Sequence, residues 1–292
     1  MITDVAIELS SQSIGGLRDT VQVLREWQHD AAPMQLHPGD LGWFWQFGGE
    51  ATAAAVRTWS RDGQIVAIGL LDRRELLRLT IAPEARRDEG LARQLVADLA
   101  EPERGVLPAG KVSVETPNGT LVQDLLLEVG WNADESWTPL RRDLTERVKE
   151  PDLRIEVIGP EQASAYTEVH RSSFGSPRFT DDLWHTMATG LPYADARCLL
   201  GYDDRGHAVA EVTVWSAGVG RPGLLEPMGV HADHRGRGYG KAICVAAAAA
   251  LQELGSSSAI VCTPSVRAGA IATYESAGFQ PLAERRDRAR NA

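Results

Sequence analysis

Arg235-Gly236-Arg237-Gly238-Tyr239-Gly240 follows an apolar run, Leu224 to Val230, and opens a helical pattern that extends from about Gly238 to Leu254. A basic, glycine-rich loop between a strand and a helix puts unpaired backbone N–H groups and the positive end of a helix dipole where a phosphate can bind. A glycine turn without a ligand is the alternative. Two other phosphate loops are excluded by single residues. Lys241 stands where the dinucleotide pattern Gly-x-Gly-x-x-Gly needs its third glycine. The nucleoside-triphosphate loop needs Ser or Thr after Gly240-Lys241 and glycine five positions before Gly240, and Ala242 and Arg235 occupy those places.

The same form, Arg-x-x-Gly-x-(Gly or Ala), occurs once earlier, as Arg87-Asp88-Glu89-Gly90-Leu91-Ala92. Arg87 and Arg235 lie 148 positions apart, and so do Gly130-Trp131 and Gly278-Phe279. Two landmarks kept in register indicate a duplicated unit, with copies over residues 1–147 and 148–292 joined by the charged, proline-containing stretch Thr145 to Asp152. In the first copy the pattern predicts a helix from Ile14 to Trp27 and strands from Ala53 to Ser60, Gln64 to Leu71 and Leu76 to Ile81. A helix from Gly90 to Ala100, a strand from Lys111 to Glu115, a helix from Leu121 to Glu128 and a strand from Thr138 to Leu144 follow. In the second, strands are expected at Leu153 to Ile158, Arg197 to Tyr202, His207 to Trp215, Leu224 to Val230 and Ala259 to Cys262. Its helices are expected at Pro160 to Ser173, Asp181 to Thr189, Gly238 to Leu254 and Ala268 to Ser276. The arginine-rich tail, Arg285 to Arg290, is expected to be solvated or frayed. Leu41-Gly42-Trp43-Phe44-Trp45 either lines a cavity or fills a core, core being favoured.

Arg235, Gly238 and Gly240 satisfy the (Gln or Arg)-x-x-Gly-x-(Gly or Ala) signature, and Ala270-x-x-x-Tyr274-Glu275-x-x-Gly278-Phe279 is similar to a second motif, in which Arg267 replaces the usual Asn. On these residues the chain resembles the GNAT superfamily of acyl-CoA-dependent N-acyltransferases, in a two-copy layout similar to that of the mycothiol synthases. The resemblance implies an α/β (α+β) fold of two tandem domains, each a mixed, splayed, mostly antiparallel sheet flanked by helices. It also implies acetyl-CoA as co-substrate, wedged between the strands ending near Val230 and Cys262. Its pyrophosphate would lie on Arg235, Gly236, Arg237, Gly238, Tyr239, Gly240 and Lys241, with Arg267 nearby. Its pantetheine arm would bond the backbone of Met228 and Val230, where an N–H would polarise the thioester carbonyl, and Gly229 would reflect the close approach of that arm.

By the same resemblance Tyr274 protonates the departing thiolate, for which a tyrosine hydroxyl at neutral pH is a competent donor; a core tyrosine is the alternative. Glu226 is the candidate base. It lies two residues before Met228, so strand alternation predicts that both point to one face; a structural or substrate-binding carboxylate is equally compatible. Pro227 suggests an edge or bulge. Glu211, His170 and His231 are weaker candidates. The first copy has Leu126 at the position of Tyr274 and Asp88-Glu89 at that of Gly236-Arg237, so it is expected to be a degenerate GNAT-like domain that supports the fold or shapes the substrate cleft.

At 292 residues and 43% hydrophobic, the chain suffices for two domains. A formal net charge of −10 disfavours nucleic acid and anionic membranes as partners and mildly favours a cationic substrate. Cys198, Cys244 and Cys262 suggest neither a disulfide framework nor a metal site, and no metal is required. Residues 1–10 lack the marks of a secretion signal, which points to a soluble cytoplasmic protein. The expected activity is N-acetyl transfer to the primary amine of a small molecule by direct attack in a ternary complex. A non-catalytic acyl-CoA sensor and a protein-modifying acetyltransferase are the alternatives. Nothing in the sequence fixes the oligomeric state.

Overall fold

The computed structural model describes residues 6–291. Both glycine-aromatic landmarks are helix ends. Helices Leu121–Glu128 and Ala268–Ser276 are followed by Gly130 and Gly278 at φ 92° and 87°. The N–H groups of Trp131 and Phe279 then donate to the carbonyls of Leu126 and Tyr274, at 3.0 and 3.1 Å. This closure satisfies carbonyls that a helix end leaves free, and it needs a residue that tolerates positive φ. The sequence repeat therefore records a repeated backbone geometry.

The first copy contains β1 (Ile7–Ser11), α1 (Leu17–Glu26), α2 (Pro38–Phe44), α3 (Gly49–Ala55), β2 (Val56–Arg61), β3 (Gln64–Arg73), β4 (Leu76–Ile81), α4 (Glu89–Ala100), β5 (Val112–Glu115), α5 (Leu121–Glu128) and β6 (Asn132–Asp143). The second contains β7 (Arg154–Val157), α6 (Ala163–Phe174), α7 (Asp181–Ala188), β8 (Ala196–Tyr202), β9 (Ala208–Trp215), β10 (Gly223–Val230), α8 (Tyr239–Glu253), β11 (Ser258–Pro264), α9 (Ala268–Ser276), β12 (Gln280–Pro281) and β13 (Arg285–Arg290). The strand expected from Ala53 is helical to Ala55, because the alanine-rich run Ala51 to Ala55 favours helix until β-branched Val56 begins β2.

The strands join into one mainly antiparallel sheet in the order β1-β2-β3-β4-β5-β13-β6-β11-β10-β9-β8-β7, with β12 on β6. In each copy one contact is parallel, β4–β5 and β10–β11. The last strands are exchanged: β6 pairs with β11 from Asp143↔Ser258 to Trp137↔Pro264, and β13 enters between β5 and β6. Arg285 faces Trp137 across the β13–β6 ladder, 148 positions away in sequence, so this strand pair straddles the pseudo-twofold axis of the duplication. Ser136 Oγ donates to the Glu284 carboxylate at 2.7 Å across the same offset.

The tail is thus a buried strand, against expectation. Arg285 and Arg288 are 5% and 8% exposed. Their charges are met inside the protein: Arg285 by ion pairs with Glu115 and Asp287, while Arg288 Nε donates to the Gln123 carbonyl at 3.1 Å and Arg290 Nη1 to the Ala100 carbonyl at 2.7 Å. A buried guanidinium persists where carboxylates or carbonyls offset its loss of water. Three apolar clusters fill the layers. One lies in the first copy around Trp59, Leu95 and Leu126. The second lies under α8 and takes in Leu140 and Leu144 from the end of the first copy, and the third gathers Tyr166, Trp184 and Trp215. Among the described residues no helix is long and apolar enough to cross a membrane.

Candidate active site

Strands β10 and β11 pair only at Gly223↔Ala259 and Leu224↔Ile260 and then part. The cause lies in β10: its register against β9 shifts between Leu225 and Met228, so Glu226-Pro227 forms a bulge that bends the strand. The bulge also breaks the alternation predicted from sequence. Met228 packs on the cluster under α8, as Leu225 does, whereas Glu226 turns toward α2 and β4. They lie on opposite faces because one extra residue inverts the parity between them. Beyond the bulge, Met228, Gly229 and Val230 pair with β9 on one edge, and the other edge faces the gap. The missing side chain at Gly229 is accounted for by α6, since a Cβ there would lie 2.5 Å from Ser173 Oγ.

At the mouth of the gap α8 begins. Gly238 is its N-cap at φ 85°, contributes no side-chain cap and has open space where a Cβ would project. The first-turn N–H groups of a helix have no intrahelical acceptor, so an anion can meet them here. Gly236, Arg237 and Lys241 are exposed, while Tyr239 packs partly on the core. Arg235 reaches back to donate to the Ser173 carbonyl at 2.6 Å, and Arg237 to that of Asp233 at 3.3 Å.

A cavity of about 630 Å³ opens between the copies, with Tyr274, Met228, Cys262 and Arg267 on its second-copy wall. Tyr274 is 6% exposed, and burial raises its pKa, so the hydroxyl keeps its proton. Burial likewise pushes the Cys262 thiol up to about 12, which leaves it a poor nucleophile at neutral pH. Glu226 is raised to about 8 by burial, with Arg78 opposing and Asp40 reinforcing the rise. His170, against Trp43 with centroids 5.5 Å apart, lines the same cavity, and its Nδ1 lies 3.1 Å from Oε1 of the fully buried Glu211. His231 is local: its Nδ1 accepts from the Asp233 N–H. In the aromatic stretch Leu41 and Trp45 are core and Trp43 lines the cavity, so both readings hold for different residues.

The first copy supplies the opposite wall, including Asp72, Arg78, Glu115, Asp134 and Trp137. That the first copy shapes the cleft was one of two expectations; which of its residues do so was not read from the sequence. The one signal was arithmetic: Arg78 stands 148 positions before Glu226. Seven carboxylates and four guanidinium groups line the whole, so the field inside favours a cation.

The corresponding loop of the first copy has another chemistry. Asp88 is the N-cap of α4; its Oδ1 accepts from the Leu91 N–H at 2.7 Å, and Arg61 clasps both oxygens at 2.8 and 2.9 Å. A carboxylate of the protein itself occupies the anion position, and Arg61 with the Leu91 N–H lowers its pKa to about 2. Leu126, fully buried, stands where the second copy has Tyr274.

Residues 163–279 match the sequence model of the Acetyltransferase (GNAT) family. A GCN5-related N-acetyltransferase from Sphaerobacter thermophilus superposes with a TM-score of 0.59 at 18% identity, covering 97% of this chain and 95% of that one. A GNAT-family acetyltransferase from Colwellia psychrerythraea does so at 0.63 and 16%, covering 98% and 100%. A tandem GNAT protein from the clavulanic acid biosynthesis pathway gives 0.60 and 16%, covering 98% of each chain. At such identities the likeness is one of fold. No curated protein matches the sequence. The second half is thus similar to the GNAT acetyltransferase family over residues 163–279, in a chain whose fold is similar to that of a tandem GNAT protein.

Proposed function

We propose that the protein transfers an acetyl group from acetyl-CoA to the primary amine of a small cationic molecule, with the chemistry in residues 148–292 and a degenerate copy in residues 1–147. The observation that carries this reading is the opened gap between β10 and β11, which has a glycine N-cap at its mouth and Tyr274 and Glu226 on the cavity behind it. Acetyl-CoA enters with its pyrophosphate on the 235–240 loop and its pantetheine along the free edge of Met228 to Val230. A backbone N–H of that edge takes up the charge that develops on the thioester oxygen.

The amine occupies the acidic cavity and attacks the carbonyl carbon. A C–N bond forms and the C–S bond breaks. Glu226 accepts the amine proton through a water, and Tyr274 delivers its proton to the leaving sulfur. A hydroxyl kept protonated by burial suits the second step, and a carboxyl poised near 8 suits the first. The acidic lining supports a cationic acceptor, whose one neutral nitrogen reacts while its remaining charge is held.

The test is thiol release from acetyl-CoA across a panel of mono- and polyamines, beside calorimetric binding of CoA. Turnover that Tyr274→Phe abolishes, with CoA binding intact, supports the reading. Tight CoA binding with no turnover on any amine or lysine peptide would replace it with an acyl-CoA sensor.

A further inference from the structure

A carboxylate that takes a proton from an amine must be able to ionise without being locked into a strong ion pair. Arg78 and Glu226 occupy equivalent positions of the two copies and meet across the pseudo-twofold axis, Nη1 3.7 Å from Oε1. The guanidinium has nearer partners elsewhere. Nη1 forms an ion pair with Asp40 Oδ1 at 2.8 Å, and Nε donates to Glu115 Oε2 at 3.0 Å. Glu115 also receives Arg285 at 3.2 Å, and Arg285 lies 3.3 Å from Asp287.

Two cations thus serve four carboxylates, with Asp72 close behind. In a half-buried cluster such an excess of negative charge cannot stay fully ionised, and the proton settles where pairing is weakest. That place is Glu226. It is the partner farthest from the guanidinium, and its side chain is 33% exposed, against 2% for Asp40 and 11% for Glu115.

We propose that Arg78, supplied by the first copy, is the positioning residue for Glu226: together with Asp40 it holds the carboxylate at the cavity wall and sets the pH at which Glu226 accepts a proton. The proposal rests on reading Glu226 as the base of the transfer. The other groups around Glu226 are Asp72 from β3, Glu115 from β5, Arg285 from β13, Cys262 from β11, Tyr274 from α9 and His170 from α6. All of them are left untouched in the variants below. Duplication accounts for the geometry: one β-strand position carries the base in one copy and the counter-ion in the other, and the axis brings both to one cavity.

The experiment is a carbon-13 NMR titration of the Glu226 carboxyl in the full-length protein, assigned with Glu226→Gln. It is run for the wild type, Arg78→Met, Arg78→Lys and Asp40→Asn, alongside the pH profile of kcat/KM. Loss of the cation in Arg78→Met should raise the midpoint by about one pH unit, a tenfold change in proton affinity. Asp40→Asn, which keeps an oxygen for the His37 N–H that Asp40 now accepts, should lower it. Arg78→Lys should fall between wild type and Arg78→Met. The acid limb of kcat/KM should move in the same order.

A merely structural Arg78 would lower the melting temperature of both Arg78 variants and leave every midpoint in place, and that result overturns the proposal. If Arg78→Met does not fold, Asp40→Asn decides, and a midpoint that stays or rises overturns it. Shifted midpoints without turnover on any amine would uphold the electrostatic link and sink the acetyltransferase reading. Turnover that Glu226→Gln abolishes, with midpoints unmoved, would do the reverse.

Discussion

Asp88→Ala tests whether the first copy's anion position is filled by the protein itself. The substitution removes the acceptor of the Leu91 N–H at 2.7 Å and both contacts to Arg61 at 2.8 and 2.9 Å. A carboxyl held at about 2 instead of 3.8 corresponds to at most about 2.5 kcal/mol of stabilisation. Its 29% side-chain exposure reduces the ionic share, and loss of an N-cap alone costs about 1 kcal/mol, so about 1–2 kcal/mol is expected at pH 7. The sign with pH follows from the depressed value. The stabilisation is complete above the unfolded-state value near 3.8 and is lost as pH falls toward about 2. Urea unfolding of wild type and variant from pH 7 to pH 3 should therefore give a constant difference above about pH 4.5 that narrows below it. Equal midpoints at pH 7, or a difference that widens in acid, would refute the assignment of Asp88 as an internal anion.

Tyr274→Phe should lower kcat by about 10²–10⁴ with CoA affinity retained, read by stopped thiol-release assays and calorimetry. Gly238→Val imposes positive φ on a β-branched residue, costing about 1–2 kcal/mol, and projects a side chain into the open space above the α8 N-terminus. CoA affinity should fall at least about tenfold, in line with a bound pyrophosphate there; unchanged affinity would refute that placement. With Glu226 raised to about 8 and required in its ionised form, kcat/KM should climb through that pH and level off above it. Glu226→Gln should remove this limb, and a flat profile in the wild type would rule Glu226 out as the base.

Local geometry was legible in the sequence; long-range pairing was not. Gly130-Trp131 and Gly278-Phe279 were legible as a repeated landmark, and the structure shows the cause, a helix closed through glycine at positive φ in each copy. The loop at Arg235 to Gly240 and the helix after it were likewise written locally, in glycine placement and apolar spacing. The period of a strand, by contrast, tells which face is buried and never which neighbour it joins, so nothing in Asn132 to Asp143 declared a partnership with Ser258 to Pro264. Arg285 to Arg290 misled for a related reason. Hydrophilicity implies solvent only if no internal acceptors exist, and those acceptors, Glu115 and the Gln123 and Ala100 carbonyls, come from distant chain segments. The face of Glu226 was lost to a single residue, because a bulge at Pro227 was foreseen but its effect on parity was not carried through.

The exchanged strands also bear on why a copy without its own anion loop persists. β6 borders β11, the strand that forms one side of the β10–β11 gap, and β13 borders β5, which carries Glu115. Each copy thereby borders a strand of the other, which joins the two ladders into one continuous sheet. The pseudo-twofold axis runs through the β13–β6 pair, so residues near it from both copies face one shared cavity: Trp137 with Arg285, and Arg78 with Glu226. On the proposed function, Asp88 and Leu126 lie outside the cavity and can change without loss to the chemistry. Changes at β6 or at Arg78 act on it directly, because β6 borders β11 and Arg78 faces Glu226 across the shared cavity.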